Sequence, residues 1–146
     1  PLVLTHARAL LTSSPEGVTD YIHADLRDPD AILAGAAQTL DFGQPVAITM
    51  LGVLWHVLDD DEARTIIGRL TGALSPGSYL TLNHPTLEVT GEKMAKAIEY
   101  WNQYGTPPGR HRTPAEIAGQ FVLLASLESS FTTGNVWGST GGETGP

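Results

Sequence analysis

The sequence has no cysteine, few basic residues and no long hydrophobic run. Its 146 residues include eight Lys and Arg against sixteen Asp and Glu, which gives a formal net charge of −8. Without cysteine there is no disulfide framework, no thiolate nucleophile and no cysteine-ligated zinc or iron–sulfur site. The acidic balance argues against a protein whose main work is to neutralise nucleic-acid phosphates. The longest apolar stretch, 45–58, is shorter than the roughly 20 residues that span a membrane.

Two further patterns are missing: a basic-then-apolar leader, and a glycine-rich phosphate loop of the GxGxxG or Walker type. What is present suits a folded domain, because 41% of the residues are hydrophobic and can form a core. The length is that of one domain or of part of one. We therefore expect an acidic, soluble, cytoplasmic globular protein with neither a nucleic-acid nor a membrane partner.

Periodicity and turn signals predict an α/β domain with a parallel sheet. Strands are predicted at 18–24, 45–51 and 78–83, and helices at 2–11, 29–40 and 91–104 and after the acidic run 59–62. The continuous apolar run 45–51 is typical of a strand covered on both faces. A further helix should begin at the capping box Thr113-Pro114-Ala115-Glu116.

The end of the sequence differs in composition from the rest. Residues 129–146 contain five Gly, seven Ser or Thr and one charged residue. Such a composition cannot bury enough apolar surface to order itself, so a poorly ordered or diverged tail is predicted there. The folded domain is accordingly expected within residues 1–128.

Four blocks of sequence resemble one family, in the same order as in its members. They are PLVLTHARALL (1–11), ADLRDPDAIL (24–33), PVAITMLGVLWHVLDDDEA (45–63) and ALSPGSYLTLNHPT (73–86). These blocks are similar to the S-adenosylmethionine-dependent methyltransferases of unassigned substrate that are abundant in actinobacteria. The resemblance covers about residues 1–121 and implies a Rossmann-like class I methyltransferase sheet. It also implies the C-terminal part of that domain, lacking the N-terminal strands 1 and 2 and their glycine-rich turn.

The resemblance implies cofactor contacts at the ends of two strands. Asp25 would accept a hydrogen bond from the adenine amino group of S-adenosyl-L-methionine, since an ionised carboxylate is acceptor-only, and Leu26 would meet the ring beside it. Leu51 and Gly52 would line the cofactor further along, and Gly52 permits close approach because it has no side chain. Judged from the residues alone, a solvated loop residue or an auxiliary cap is the favoured interpretation of Asp25.

Three ring-bearing residues are candidates for the acceptor side. His56 could act as a general base, because the pKa of histidine lies near neutrality, although a packed histidine at the start of a helix is favoured. Trp55 and His84 would contact the acceptor, and a simple loop histidine is the alternative for His84. Methyl transfer from a sulfonium needs mainly proximity, alignment and a dry site, so the base is optional.

Two charged clusters have simpler explanations than a binding site. The run Asp59-Asp60-Asp61-Glu62 is typical of a helix start, and no metal site is predicted. Arg110-His111-Arg112 could hold an acidic group of a substrate, but a solvated loop beside a helix start is the favoured interpretation.

The function expected from these observations is S-adenosylmethionine-dependent methyl transfer to a small-molecule acceptor. The alternative is a non-catalytic α/β remnant or interaction module that does not bind the cofactor. The implied topology inserts two strands between those predicted at 18–24 and 45–51, whose backbone groups are otherwise unpaired. We therefore expect the isolated 146 residues to be inactive and poorly stable unless an upstream segment or a second chain supplies the missing strands.

Overall fold

The computed structural model describes residues 2–118. Its elements are α1 (Leu2–Leu10), α2 (Pro29–Ala36), β1 (Ala47–Met50), a 3₁₀ turn (Leu54–His56), α3 (Asp60–Thr71), β2 (Tyr79–Leu82), α4 (Leu87–Thr90) and α5 (Glu92–Tyr104). Residues 114–118 are also helical. The predicted tail 129–146 lies outside the described residues.

β1 and β2 are parallel neighbours and form the sheet of the described part of the chain. Their register runs from Ala47 opposite Tyr79 to Met50 opposite Leu82. The crossover between them contains α3, as parallel strands require a long connection that is usually a helix. The strands predicted at 45–51 and 78–83, and their parallel direction, are thereby confirmed.

The core lies where α3 meets the sheet. Spacing of three and four residues puts Ala63, Ile66, Ile67 and Leu70 on one buried face of α3. They form one cluster with the buried side chains of Met50, Leu54 and Val57, and Leu26, Ile32, Leu33, Ile48, Leu80 and Leu82 pack against it. This packing holds the turn before α2 beside the segment that follows β1.

Aspartates cap the two helices that flank β1. Asp28 Oδ1 accepts a hydrogen bond from the Ala31 N–H at 3.0 Å, with proline at the start of α2. Asp59 Oδ1 accepts from the Glu62 N–H at 2.7 Å and begins α3. Each cap satisfies a backbone donor that has no partner within its helix. Both predicted helix starts are confirmed, whereas the helix predicted at 29–40 already ends at Ala36.

The capping box predicted near residue 113 is present in full. The Thr113 N–H donates to Glu116 Oε2 at 2.6 Å, and the Glu116 N–H donates to Thr113 Oγ1 at 3.2 Å. These reciprocal bonds satisfy two donors at the first turn, which is why the helix begins here.

The prediction of a strand at 18–24 is wrong. No described strand pairs with this segment, and nearby side chains bind its backbone instead. The Thr19 N–H donates to Ser13 Oγ at 3.0 Å, and the Tyr21 N–H donates to Asp20 Oδ1 at 2.7 Å. Local bonds of this kind compete with a ladder, and alternation of apolar and polar residues makes no strand without a partner.

α1 forms as predicted, but its apolar residues are not part of the described core. None of its residues is buried, and Leu2, Val3 and Leu10 are exposed. No helix among the described residues is both long enough and apolar enough to cross a lipid bilayer.

Candidate functional site

A cavity of about 240 Å³ lies beyond the carboxyl end of β1. Three segments line it: the turn before α2, the segment between β1 and α3, and the loop after α5. The lining residues are Asp25, Leu26, Arg27, Val53, His56, Val57 and Pro107. The cavity thus joins Asp25 and Leu26, predicted for the cofactor, to His56, predicted for catalysis. Crevices at this end of a parallel sheet are where α/β folds bind ligands.

Asp25 presents an exposed carboxylate at the cavity, with its side chain 64% exposed. Its Oδ1 accepts a hydrogen bond from the Arg27 N–H at 2.9 Å, and the Arg27 guanidinium lies 3.5 Å from the same oxygen. Neither Oδ2 of Asp25 nor the N–H of Leu26 has a hydrogen-bond partner in the described part of the chain. An acceptor and a donor are therefore available side by side at the cavity.

Arg27, which the sequence analysis missed, connects two walls of the cavity. Its Nη2 donates to the backbone carbonyl of His56 at 2.7 Å, and its Nε lies 3.5 Å from the Glu62 carboxylate. These contacts tie the turn that carries Asp25 to the segment that follows β1. An arginine two residues after an aspartate gave no signal in the sequence for such a long-range link.

His56 is held in one orientation by the loop after α5. Its Nδ1 lies 3.0 Å from the Pro108 carbonyl oxygen. Because a carbonyl only accepts, Nδ1 must carry the proton, and in the neutral ring Nε2 is left as an acceptor. Nε2 has no hydrogen-bond partner among the described residues. A ring in this state can accept a proton from a ligand.

Trp55 belongs to an aromatic cluster with His56 and Trp101, and it is not among the residues that line the cavity. Its ring centroid lies 4.4 Å from that of His56 and 5.6 Å from that of Trp101. Its Nε1 donates to the Gly52 carbonyl at 3.1 Å. Gly109 packs on the Trp55 ring so closely that a Cβ would overlap it. The rings of Trp55 and Trp101 pack against the His56 ring.

Leu51 and Gly52, predicted for the cofactor, lie in the turn that follows β1, outside the lining of the cavity. Leu51 is exposed. Gly52 has a φ of +64°, which glycine adopts without strain, and a Cβ there would meet open space. Its N–H donates to Asn83 Oδ1 at 2.6 Å. Asn83 is a residue that the sequence analysis missed, and it fixes this turn from the end of β2.

His84, predicted to contact the acceptor, lies in a buried cluster around Arg112. Arg112 is 0% exposed, and its Nε donates to Asp60 Oδ1 at 2.7 Å. Its Nη1 lies 2.7 Å from His84 Nε2. Since arginine only donates, Nε2 accepts and the proton of His84 is on Nδ1, 3.0 Å from the Pro85 carbonyl. Both ring nitrogens are engaged within the protein.

The electrostatics of this cluster favour a neutral imidazole and a charged carboxylate. Burial is the main cause that lowers the pKa of His84, and the positive charges of Arg112 and Arg110 lower it further; the Pro85 carbonyl and Asp60 oppose them. The hydrogen bond from Arg112 lowers the pKa of Asp60. The Asp60 carboxylate therefore faces the guanidinium groups of Arg112 at 2.7 Å and Arg110 at 3.5 Å, beside a neutral imidazole.

The prediction of a solvated loop at 110–112 is wrong for Arg112. The turn into α3 offers a carboxylate and two backbone carbonyls, those of Leu54 and Val57, which need donors. Arg110 is half-buried and donates to the Leu58 carbonyl at 2.9 Å. The composition was the available signal for this pairing, because the chain has eight basic and sixteen acidic residues. A basic residue near an acidic run is then expected to find an acidic partner.

The comparisons with known proteins give one family model, one solved structure and one curated relative. A family model described as S-adenosyl methyltransferase matches residues 1–144. A crystal structure of a DUF574 family protein from Streptomyces avermitilis has a TM-score of 0.74 and 39% identity, and the match covers 83% of this chain and 46% of that chain. Uncharacterized oxidoreductase YhxD of Bacillus subtilis is 36% identical over 78 residues, which are 51% of this chain and 24% of that protein.

The parallel sheet, its flanking helices and a crevice beyond the strand ends define a Rossmann-like α/β domain. The chain belongs to the S-adenosyl methyltransferase family. It spans less than half of the solved relative and about a quarter of the curated one. The family match also extends past residue 121, where the resemblance in the sequence ended. The oxidoreductase similarity covers too little of that protein to carry an activity.

Proposed function

We propose that this chain forms part of the site of an S-adenosylmethionine-dependent methyltransferase that acts on a small molecule. The observation that carries the proposal is the cavity that joins the exposed Asp25 carboxylate to the segment after β1, in a chain of this family. A cytoplasmic location belongs to the same proposal.

The residues at the cavity fit the edge of an adenine ring. An adenine presents an amino donor beside a ring-nitrogen acceptor, and Asp25 Oδ2 with the Leu26 N–H offers the complementary pair. Val53 and Val57 contribute apolar surface, which suits the faces of an aromatic base. Leu51 and the open space at Gly52 lie further along the same strand end and would face the rest of the cofactor.

S-adenosyl-L-methionine supplies a methyl group activated on a sulfonium. The chain's residues would then hold and orient the ligands and exclude water, which is most of what such a displacement requires. His56 would take a proton where the acceptor must lose one, through its unpartnered Nε2. Trp55 would support the His56 ring, and His84 would act on the acceptor side through the cluster that holds the loop after α5.

The substitution Asp25→Asn tests the adenine contact. Asparagine keeps an oxygen for the Arg27 N–H but loses the charge and one acceptor, so the turn survives while the ligand contact weakens. We expect binding of S-adenosylhomocysteine, measured by calorimetric titration, to weaken roughly tenfold. Asp41→Asn is the matched control, because Asp41 Oδ1 accepts from the Gly43 N–H at 2.9 Å in the same kind of turn.

The titration should be run with the 146-residue chain and with a form extended upstream by one strand–helix–strand unit. Binding in the extended form that depends on Asp25 supports a methyltransferase completed by further strands. Binding in neither form favours the non-catalytic remnant or interaction module. Displacement by ATP as readily as by S-adenosylhomocysteine would instead indicate a general adenine-nucleotide site.

A further inference from the structure

The loop after α5, residues 105–112, is fastened to α5 on one side. Trp101 Nε1 donates to the Pro107 carbonyl at 2.8 Å. Asn102 makes two bonds with Gly109, one from its Nδ2 to the carbonyl at 2.9 Å and one from the Gly109 N–H to its Oδ1 at 2.8 Å. These contacts hold the loop against α5.

On its other side the loop is fastened to the segment between β1 and α3. The Arg110 N–H donates to the Trp55 carbonyl at 2.9 Å, and Gly109 lies against the Trp55 ring. The Pro108 carbonyl accepts from His56 Nδ1 at 3.0 Å. The position of the loop therefore determines which nitrogen of His56 carries the proton.

Arg112 is the anchor at the end of this loop. It is the only fully buried charged side chain in residues 2–118. Its guanidinium donates to Asp60 and to the carbonyls of Leu54 and Val57, which lie on either side of His56 in the sequence. Its backbone N–H donates to the Pro85 carbonyl at 3.2 Å. A planar group with five donors can satisfy this set, and a lysine ammonium cannot.

We propose that Arg112 is a positioning residue for the cavity. Its buried guanidinium holds loop 105–112 against residues 54–57, so that the Pro108 carbonyl keeps the proton of His56 on Nδ1 and leaves Nε2 as the acceptor. This inference deepens the proposed function and rests on it in one respect, because a ligand that uses Nε2 belongs to that function. The tautomer of His56 is a property of the protein alone.

The tautomer can be measured directly by two-bond ¹H–¹⁵N correlation spectra of the histidine rings. In the unaltered, upstream-extended protein, at a pH where the His56 ring is neutral, we expect the proton on Nδ1 and none on Nε2. In Arg112→Lys, we expect a mixture of both tautomers, because the Pro108 carbonyl is no longer held at hydrogen-bond distance. Arg69→Lys makes the same change at an exposed arginine that pairs with Asp30, and it should retain the single tautomer.

A merely structural Arg112 would lower the stability of the protein without changing the tautomer in the molecules that remain folded. A folded Arg112→Lys with one unchanged His56 tautomer would therefore overturn the proposal. Should that variant not fold, Asp60→Asn decides, because it weakens the Arg112 anchor and keeps an oxygen acceptor. A mixed His56 tautomer in Asp60→Asn supports the proposal, and an unchanged tautomer overturns it.

A titration with S-adenosylhomocysteine separates this inference from the proposed function. We expect Arg112→Lys to bind it roughly tenfold more weakly, since the loop forms one wall of the cavity. Absence of binding to the unaltered, upstream-extended protein would contradict the proposed function and leave the tautomer result as the test of Arg112. Equal affinity in both proteins, with a changed tautomer, would confine the role of Arg112 to His56 and overturn its role in shaping the cavity.

Discussion

The guanidinium of Arg112, the imidazole of His84 and the carboxylate of Asp60 form a chain of hydrogen bonds beneath the candidate site. Because arginine only donates, His84 accepts at Nε2 and carries its proton on Nδ1. The same reasoning applies to His56, whose Nδ1 faces the Pro108 carbonyl. The two histidines thus differ in the availability of their second nitrogen.

His84 should make the stability of the protein depend on pH. Its pKa in the folded state lies below the ordinary value of 6.5, so below that pH the unfolded chain binds more protons than the folded one. Its stabilising contribution is therefore complete above about pH 6.5 and is lost as the pH falls toward the lowered pKa. The free energy of unfolding of the upstream-extended form in urea should be lower at about pH 5.5 than at about pH 7.5.

The substitution His84→Gln should reduce this difference between the two pH values. Glutamine offers an oxygen to Arg112 and does not titrate in this range. The same substitution at His111, whose side chain is exposed, controls for the loss of an imidazole elsewhere. An unchanged pH dependence in His84→Gln would show that the neutral His84 contributes nothing to it.

At the level of elements, each of the four acidic residues 59–62 at the start of α3 makes a different contact. Asp59 caps the helix, Asp60 pairs with Arg112, Asp61 pairs with Arg64 and Glu62 pairs with Arg27. Two of these partners, Arg27 and Arg112, belong to the walls of the cavity or to the anchor of its loop. The first turn of α3 therefore also holds Arg27 and Arg112 in place at the candidate site.

Removal of the Asp59 carboxylate, which caps α3, should destabilise the protein more than removal of the nearby Asp61 carboxylate. Asp59→Ala leaves the Glu62 N–H without its acceptor, and a loss of about 1 kcal/mol in the free energy of unfolding of the upstream-extended form is expected. Asp61→Ala is the matched control, because the Asp61 side chain is 88% exposed and such pairs contribute within about 0.5 kcal/mol. Equal losses in the two variants, measured by urea unfolding, would contradict the capping role.

At the level of the whole molecule, the described chain has a small core and a large exposed apolar surface. Eight hydrophobic residues are buried, whereas fourteen large hydrophobic residues are exposed, among them those of α1. The sheet of the described residues has two strands, and a pair of strands is marginally stable unless further strands or helices cover it. We propose that an upstream segment or a second chain covers this surface and extends the sheet.

The 146-residue chain alone should accordingly unfold with little cooperativity and bind the hydrophobic dye ANS. A form extended upstream, or a complex with the segment that supplies the strands, should unfold cooperatively and bind less dye, because apolar surface is then buried. Thermal unfolding followed by circular dichroism, together with dye fluorescence, measures both. A monomeric, cooperative transition of about 5–15 kcal/mol for the isolated chain would contradict this expectation.

Local signals in the sequence were sufficient for most of the elements and for their direction. The caps at Asp28, Asp59 and Thr113 act within one helical turn, and the apolar run before Leu51 marks a strand. The expected cover on both faces is absent in the described part of the chain, where Ala47 and Thr49 are exposed. The four blocks shared with the methyltransferases also indicated the family before any geometry was available. These features depend on neighbours in sequence, or on patterns that a whole family shares.

Only the tertiary structure decided which residues meet at the cavity and in what state. The segment 18–24 has the pattern of a strand but no described partner, since pairing is a contact between distant residues. The burial of Arg112 depends on acceptors 52 to 58 positions away in the sequence. The tautomer of His56 depends on a carbonyl 52 positions away. Such long-range contacts leave no local periodicity, because their partners come together only when the chain has folded.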